Sequence, residues 1–186
     1  MSGQRANSGD PNRFDGKPLA QLQGQRATYW LEQLHPDAGD ELHLAARAHH
    51  LRRWEVERSS YPEGRSGYLK WRKANKAHQA DSAAEILLAA QWDQSAVERV
   101  KELLLRVGLK SDPEIQALED VACLVFVETQ FDPMTERLDH DHMVNVVAKT
   151  LKKMSPEGVV MASQVPLSAA SQTVLSNAVA TLQSDE

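Results

Sequence analysis

Between His43 and His78 the chain gathers the side chains best suited to chemistry near neutral pH. Imidazoles stand at His43, His49, His50 and His78, guanidiniums at Arg47, Arg53, Arg58, Arg65 and Arg72, and aromatic rings at Trp54, Tyr61, Tyr68 and Trp71. Imidazole moves protons near neutral pH and ligates metals. Guanidinium grips phosphate or carboxylate through two parallel bonds, and Tyr or Trp rings can stack on a nucleobase. From Arg47 to Lys76 nine Lys/Arg stand against three acids, so that segment carries +6 while the remainder carries −11. The net charge of −5 and pI near 5.8 argue against a general nucleic-acid binder. The local reversal of sign points instead to a small anionic ligand.

These side chains act together only if helices present them on common faces, where residues i, i+4, i+7 and i+11 align. A helix from about Ala38 to Trp54 would align His43, Arg47, His50 and Trp54. One from about Gly67 to Asp81 would align Tyr68, Trp71 or Arg72, Asn75 and His78. On a central apolar helix to about Thr129, Gln116 and Asp120 lie together with Glu119 beside them. Converging, the three faces form a pocket of imidazoles, carboxylates and guanidiniums. Arg58 and Arg65 flank the loop that carries Tyr61-Pro62, and Arg53 and Arg72 reach in from the adjoining helices.

The scaffold reads as all-α, a bundle of about seven helices in one domain over residues 19–183 behind a flexible arm of residues 1–18. A helix from Leu19 to Leu34 ends at His35-Pro36, because proline disfavours helix in the residue before it. Ser-Ser, Pro62, Gly64 and Gly67 mark residues 57–67 as a loop. A short helix over 83–90 follows, then one capped by Asp93 or Ser95 that reaches Val107 and stops at Gly108. Ser111 and Glu114 have capping-box spacing with Pro113 just inside the start. Further helices are expected from Asp139 to Met154 and from Leu167 to Leu182, the last docking on its own domain or forming a dimer contact. The single cysteine, Cys123, excludes an internal disulfide framework. No apolar run reaches the roughly 18–20 residues of a membrane span, and Met1 to Pro11 has no apolar signal core, so a cytoplasmic chain is expected.

The order His50, His78, Asp120 resembles the ligand order of the HD superfamily, helical metal-dependent phosphohydrolases that hold a metal with a His, a His-Asp pair and a later Asp. That resemblance implies one divalent ion (manganese, iron, zinc or magnesium) on His50, His78 and Asp120, with Glu119 assisting, activating water against a phosphoester. The sequence departs from it at Gln79, which stands where the paired Asp would be. A literal His-Asp pair at His140-Asp141 has only Glu157, Asp185 and Glu186 as later acids. A second resemblance rests on longer motifs: HHLRRWEVERSSYPEGRSGYLKWR from His49 to Arg72, His78, LEDVACLVFVE from Leu118 to Glu128, and KTLKKMS from Lys149 to Ser155. These resemble the domain-of-unknown-function 4202 family over nearly the whole chain. The resemblance implies a helical, HD-like fold and marks Arg47, His50, Arg53, Trp54, Tyr61, Pro62, Arg65, Gly67, Tyr68, Trp71, Arg72, His78, Glu119 and Asp120.

Two functions follow from these residues. In the first, His50, His78, Glu119 and Asp120 are catalytic groups of a metal-dependent phosphohydrolase, and Arg47, Arg53, Arg58, Tyr61, Arg65, Tyr68 and Arg72 hold a small phosphorylated or nucleotide-like substrate. In the second, the same basic pocket is a non-catalytic module for an anionic ligand or partner, in a monomer or homodimer. A buried Asp120 is costly unless it is paired or bound to metal. A salt bridge to Arg47 or Arg53 would serve as well as a metal. His43 and His49 read as packing or surface residues, and Cys123 as a core thiol.

Overall fold

The computed structural model describes residues 7–106, 108 and 111–184, and 72% of these described residues are helical. The all-α class is as expected. The backbone divides into two compact units, residues 1–118 and 119–186.

In the first unit, residues 7–18 are tied down where the composition suggests a loose arm. Asn7 and Asp10 are buried. Asn7 Nδ2 donates to Ala20 O at 3.3 Å, and Asp10 accepts from Ala20 N at 2.9 Å. Strands Arg13–Phe14 (β1) and Lys17–Pro18 (β2) pair antiparallel. Asp15 and Gly16 both take positive φ between them, the geometry of a tight hairpin turn. Residues 1–6 of the expected arm lie outside the described residues.

Helix α1, Leu19–Leu34, follows its apolar spacing and buries Ala20, Ala27, Trp30 and Leu31. It ends before Pro36 as expected. Helix α2 covers only Asp40–Arg47, which corrects the expectation of a helix to Trp54. His50 and Arg52 turn left-handed, at φ 67° and 49°, and a 3₁₀ turn follows at Arg53–Glu55. Non-glycine residues adopt this conformation at a cost of roughly 1–2 kcal/mol each. Two long-range bonds hold it here, Arg52 N donating to Asn7 Oδ1 at 3.1 Å and the His50 ring meeting Gln23 at 2.6 Å. Tertiary contacts therefore end a helix that periodicity alone would continue. A second 3₁₀ turn covers Arg58–Ser60.

Helix α3 runs unbroken from Gly64 to Ala89, merging the two helices expected over 67–81 and 83–90. No glycine or proline follows Gly67 until after its end, so Asp81-Ser82 is no breaker. Helix α4, Gln94–Leu105, is capped by Asp93, whose side chain accepts from Ala96 N. Arg106 ends it at φ 56°, and the expected end at Val107 lies outside the described residues. Helix α3 packs on α4, α4 on α2 and α2 on α1, around Leu42, Ala45, Val97, Val100, Leu103 and Leu104.

Helix α5, Pro113–Thr129, begins in the first unit and ends in the second. Its cap is Asp112 rather than Ser111: Asp112 Oδ1 accepts from Glu114 N at 2.9 Å and Ile115 N at 3.4 Å. Asp112 directly precedes Pro113 and so can reach those amides, while Ser111 Oγ donates back to Gly108 O. The second unit continues with α6 (Phe131–Thr135), α7 (His140–Leu151), α8 (Pro156–Ser163) and α9 (Ala169–Ser184). Helices α6 and α8 were not expected, and nine α-helices stand among the described residues where about seven were expected. Helix α9 packs on α7 and α6, burying Val174 and Ala178. No described helix is long and apolar enough to cross a membrane.

Candidate functional site: a basic aromatic cluster in the first unit

The early end of α2 sets the site. Because the chain leaves the helix at Arg47, His43, Arg47, His50 and Trp54 do not form one helical face. Instead Arg53, in the 3₁₀ turn, lays its guanidinium over the Trp71 ring of α3, 4.7 Å from the centroid. Tyr68, one turn earlier on α3, lies 5.8 Å from Trp71, and Arg72 lies 5.8 Å over the Tyr68 ring. The indole is anchored by Trp71 Nε1, which donates to Val56 O at 2.8 Å. Buried Asn75 completes the frame when its amide is oriented by its bonding: its nitrogen donates to Arg53 O, and its oxygen shares the single Trp71 Nε1–H with Val56 O. Gly67 makes room for the loop before α3, since a Cβ there would lie 1.8 Å from Pro62 O.

Arg53 is half-buried, and no described residue offers its guanidinium a carboxylate or a hydrogen-bond acceptor. Burial draws its pKa below the usual arginine value; Tyr68 works against that shift and Arg72 adds to it. Beside it the His49 and His50 rings stack, with centroids 4.0 Å apart. Burial holds His49 well below the usual histidine range, helped by Arg106, Arg53 and Lys76. Burial does the same to His50, helped by His49, Arg53 and Arg106. The result is a positive seam lined by neutral imidazoles.

Of the residues expected to bind ligand, Arg53, Tyr68 and Arg72 come together. Arg58 is spent on the loop, where Nη1 donates to Tyr61 O at 2.9 Å. Arg65 lies exposed in the first turn of α3, and Arg47, at the end of α2, is desolvated. Four residues of the cluster were missing from the expected ligand set: Trp71, His49, Lys76 and Arg106. Trp71 stood in the longest motif and was legible. His49 was set aside as a packing residue, and Arg106 sits too far along the chain for helical spacing to connect it.

The expected metal and acid–base residues each have partners of their own. His50 Nδ1 meets Gln23 Oε1, and His78 Nε2 meets Glu55 Oε2 at 3.0 Å on a partly exposed surface. In the second unit, Asp120 is buried and accepts from Ser155 N at 2.9 Å and Ser155 Oγ at 2.6 Å. The same Ser155 hydroxyl caps α8 by accepting from Gly158 N. A Cβ on Gly158 would come within 2.9 Å of the Asp120 carboxyl carbon, so the glycine lets α8 close on it. Glu119 is also buried. Among the described residues, no three or more His, Cys, Asp or Glu side chains group so as to hold a metal ion.

No curated protein and no solved structure matches the chain. The family described as Domain of unknown function (DUF4202) matches residues 2–175, which takes in every element that builds the cluster. With that match over nearly its full length, the chain belongs to the DUF4202 family.

Proposed function

We propose that the chain binds a small phosphorylated or nucleotide-like anion, with Arg53 as the centre of the site and Arg72, Tyr68 and Trp71 around it. One observation carries the reading: a desolvated guanidinium without a counter-charge among the described residues. Stacking on Trp71 is worth about 0.5–2 kcal/mol. Withdrawing a charge only partly from water costs a fraction of the several kcal/mol that full burial does. The ring also engages none of the five N–H donors. A bidentate oxyanion fills that deficit, and exposed Tyr68 offers a face for a planar group carried by the same ligand. The lone cysteine, Cys123, is buried and in no disulfide, which supports a reducing compartment such as the cytoplasm.

Thermal unfolding with inorganic phosphate and with adenosine monophosphate, each with and without manganese or magnesium, tests the reading. Phosphate compounds alone should stabilise the protein, by about 2.7 kcal/mol at a hundred times Kd. Arg53→Met should abolish the shift. Stabilisation that requires the divalent metal, with release of phosphate, would favour the metal-dependent phosphohydrolase instead. No shift with any of these ligands would overturn the anion site.

A further inference from the structure

We propose that anion capture at Arg53 is coupled to uptake of one proton by the stacked His49–His50 pair, so that the site selects fully ionised dianions over monoanions. The inference rests on the anion-site reading above and adds the ligand class and its pH control.

The geometry of the pair carries it. An amide oxygen only accepts, so His50 Nδ1 bears the hydrogen toward Gln23 Oε1, and the ring's lone pair lies on Nε2. No described residue bonds that Nε2. His49 is 7% exposed, and its Nδ1 is buried without a hydrogen-bond partner among the described residues. A buried polar atom left so costs about 1–3 kcal/mol, and such an atom points to a group the site has yet to receive. Among the described residues, Gln23 of α1 is the neutral polar partner on the pair. The charged described groups that act on the rings are Arg53 from the 3₁₀ turn, Lys76 from α3 and Arg106 from the end of α4, and all are cationic.

Burial first, and these cations with it, therefore disfavour a proton on the pair until an anion enters. A dianion on Arg53 reverses the sign of the local field, and one solvent proton can then bind the Nε2 lone pair of His50. Guanidinium and imidazolium together supply two positive charges for the ligand's two negative ones. A monoanion is balanced by Arg53 alone and recruits no proton. His50 and Arg52 hold left-handed backbone between these groups, the kind of conformation that concentrates at binding sites.

Sulfate tests this cleanly, because it is a dianion that carries no proton of its own near neutral pH. Calorimetric titrations of sulfate at pH 7.5, in two buffers of different ionisation enthalpy, should show uptake of about one proton per sulfate bound. Sulfate affinity should rise about tenfold for each unit the pH falls, while nitrate shows neither effect. His50→Gln should keep Arg53-dependent sulfate binding and lose the proton uptake. The buffer comparison on the unaltered chain stands even if that variant fails to fold. Sulfate binding that Arg53→Met abolishes but that takes up no proton would overturn the coupling and leave the anion site intact. Absence of binding by both sulfate and inorganic phosphate would overturn the site itself.

Discussion

Asp120 is buried and Arg53 half-buried, one in each unit, and the two charged side chains are treated in opposite ways. Asp120 accepts two bonds from Ser155, which in turn caps α8. Its charge is consumed in closing a helix onto a helix. Arg53 has a ring beneath it and cationic neighbours, and none of its donors reaches an acceptor among the described residues. The first is a structural charge, satisfied by its own fold. On the proposed reading, the complement of the second comes from outside. Burial alone does not separate the two; the bonding around each does.

Substitution at each charge probes this difference. Asp120→Ala should have the largest effect on stability, about 3–5 kcal/mol. It strands the Ser155 amide and hydroxyl and removes two charge-assisted bonds, each worth about 1.5–3 kcal/mol. Chemical denaturation measures it, and a loss under 1 kcal/mol would break the contrast. Arg53→Met should do the reverse, lowering phosphate affinity about a hundredfold while leaving stability unchanged or raised by about 1 kcal/mol, since a buried charge is exchanged for an apolar chain of similar reach. Calorimetry and denaturation on the same preparation check both halves. A large loss of stability would make Arg53 structural as well.

The histidine pair sharpens the comparison through pH. Both imidazoles are held below their usual value in the folded chain. As pH falls through about 6.5, the unfolded chain therefore takes up protons that the folded one refuses. The stability they contribute is present above that pH and declines below it, at up to about 1.4 kcal/mol per pH unit for each ring. Denaturation midpoints between pH 7.5 and 5.5 should show the decline, and saturating sulfate should reduce it. The smallest effect is expected at the His78–Glu55 pair, which is 31% and 43% exposed. His78→Gln should cost about 0.5 kcal/mol or less, as exposed ion pairs do. A larger loss, or loss of phosphate binding, would return His78 to the site.

How far these contrasts were legible beforehand differs by element. Helix α1 and most of α5, α7 and α9 were readable because apolar spacing, proline and caps agree there. The cluster was readable as a region, since charge and aromatics crowd residues 47–76. Its composition was not. The helix face that joined His43, Arg47, His50 and Trp54 presumed four turns of α2, and the chain makes only two. His49 looked like packing because its neighbours in space, Lys76 and Arg106, are remote in sequence.

Residue order, composition and periodicity thus determined by themselves that this chain is helical, where several of its longer helices run, and where its positive charge collects. Those properties depend on local sterics and on hydrophobic pattern, which a linear chain carries with it. The tertiary structure alone decided that α2 stops at Arg47, that Arg53 lies over Trp71, and that Asp120 serves Ser155. Each depends on bonds between distant residues, Asn7 to Arg52, Gln23 to His50 and Asp120 to Ser155. Their energies exceed local helix preferences only once the fold has brought both partners together.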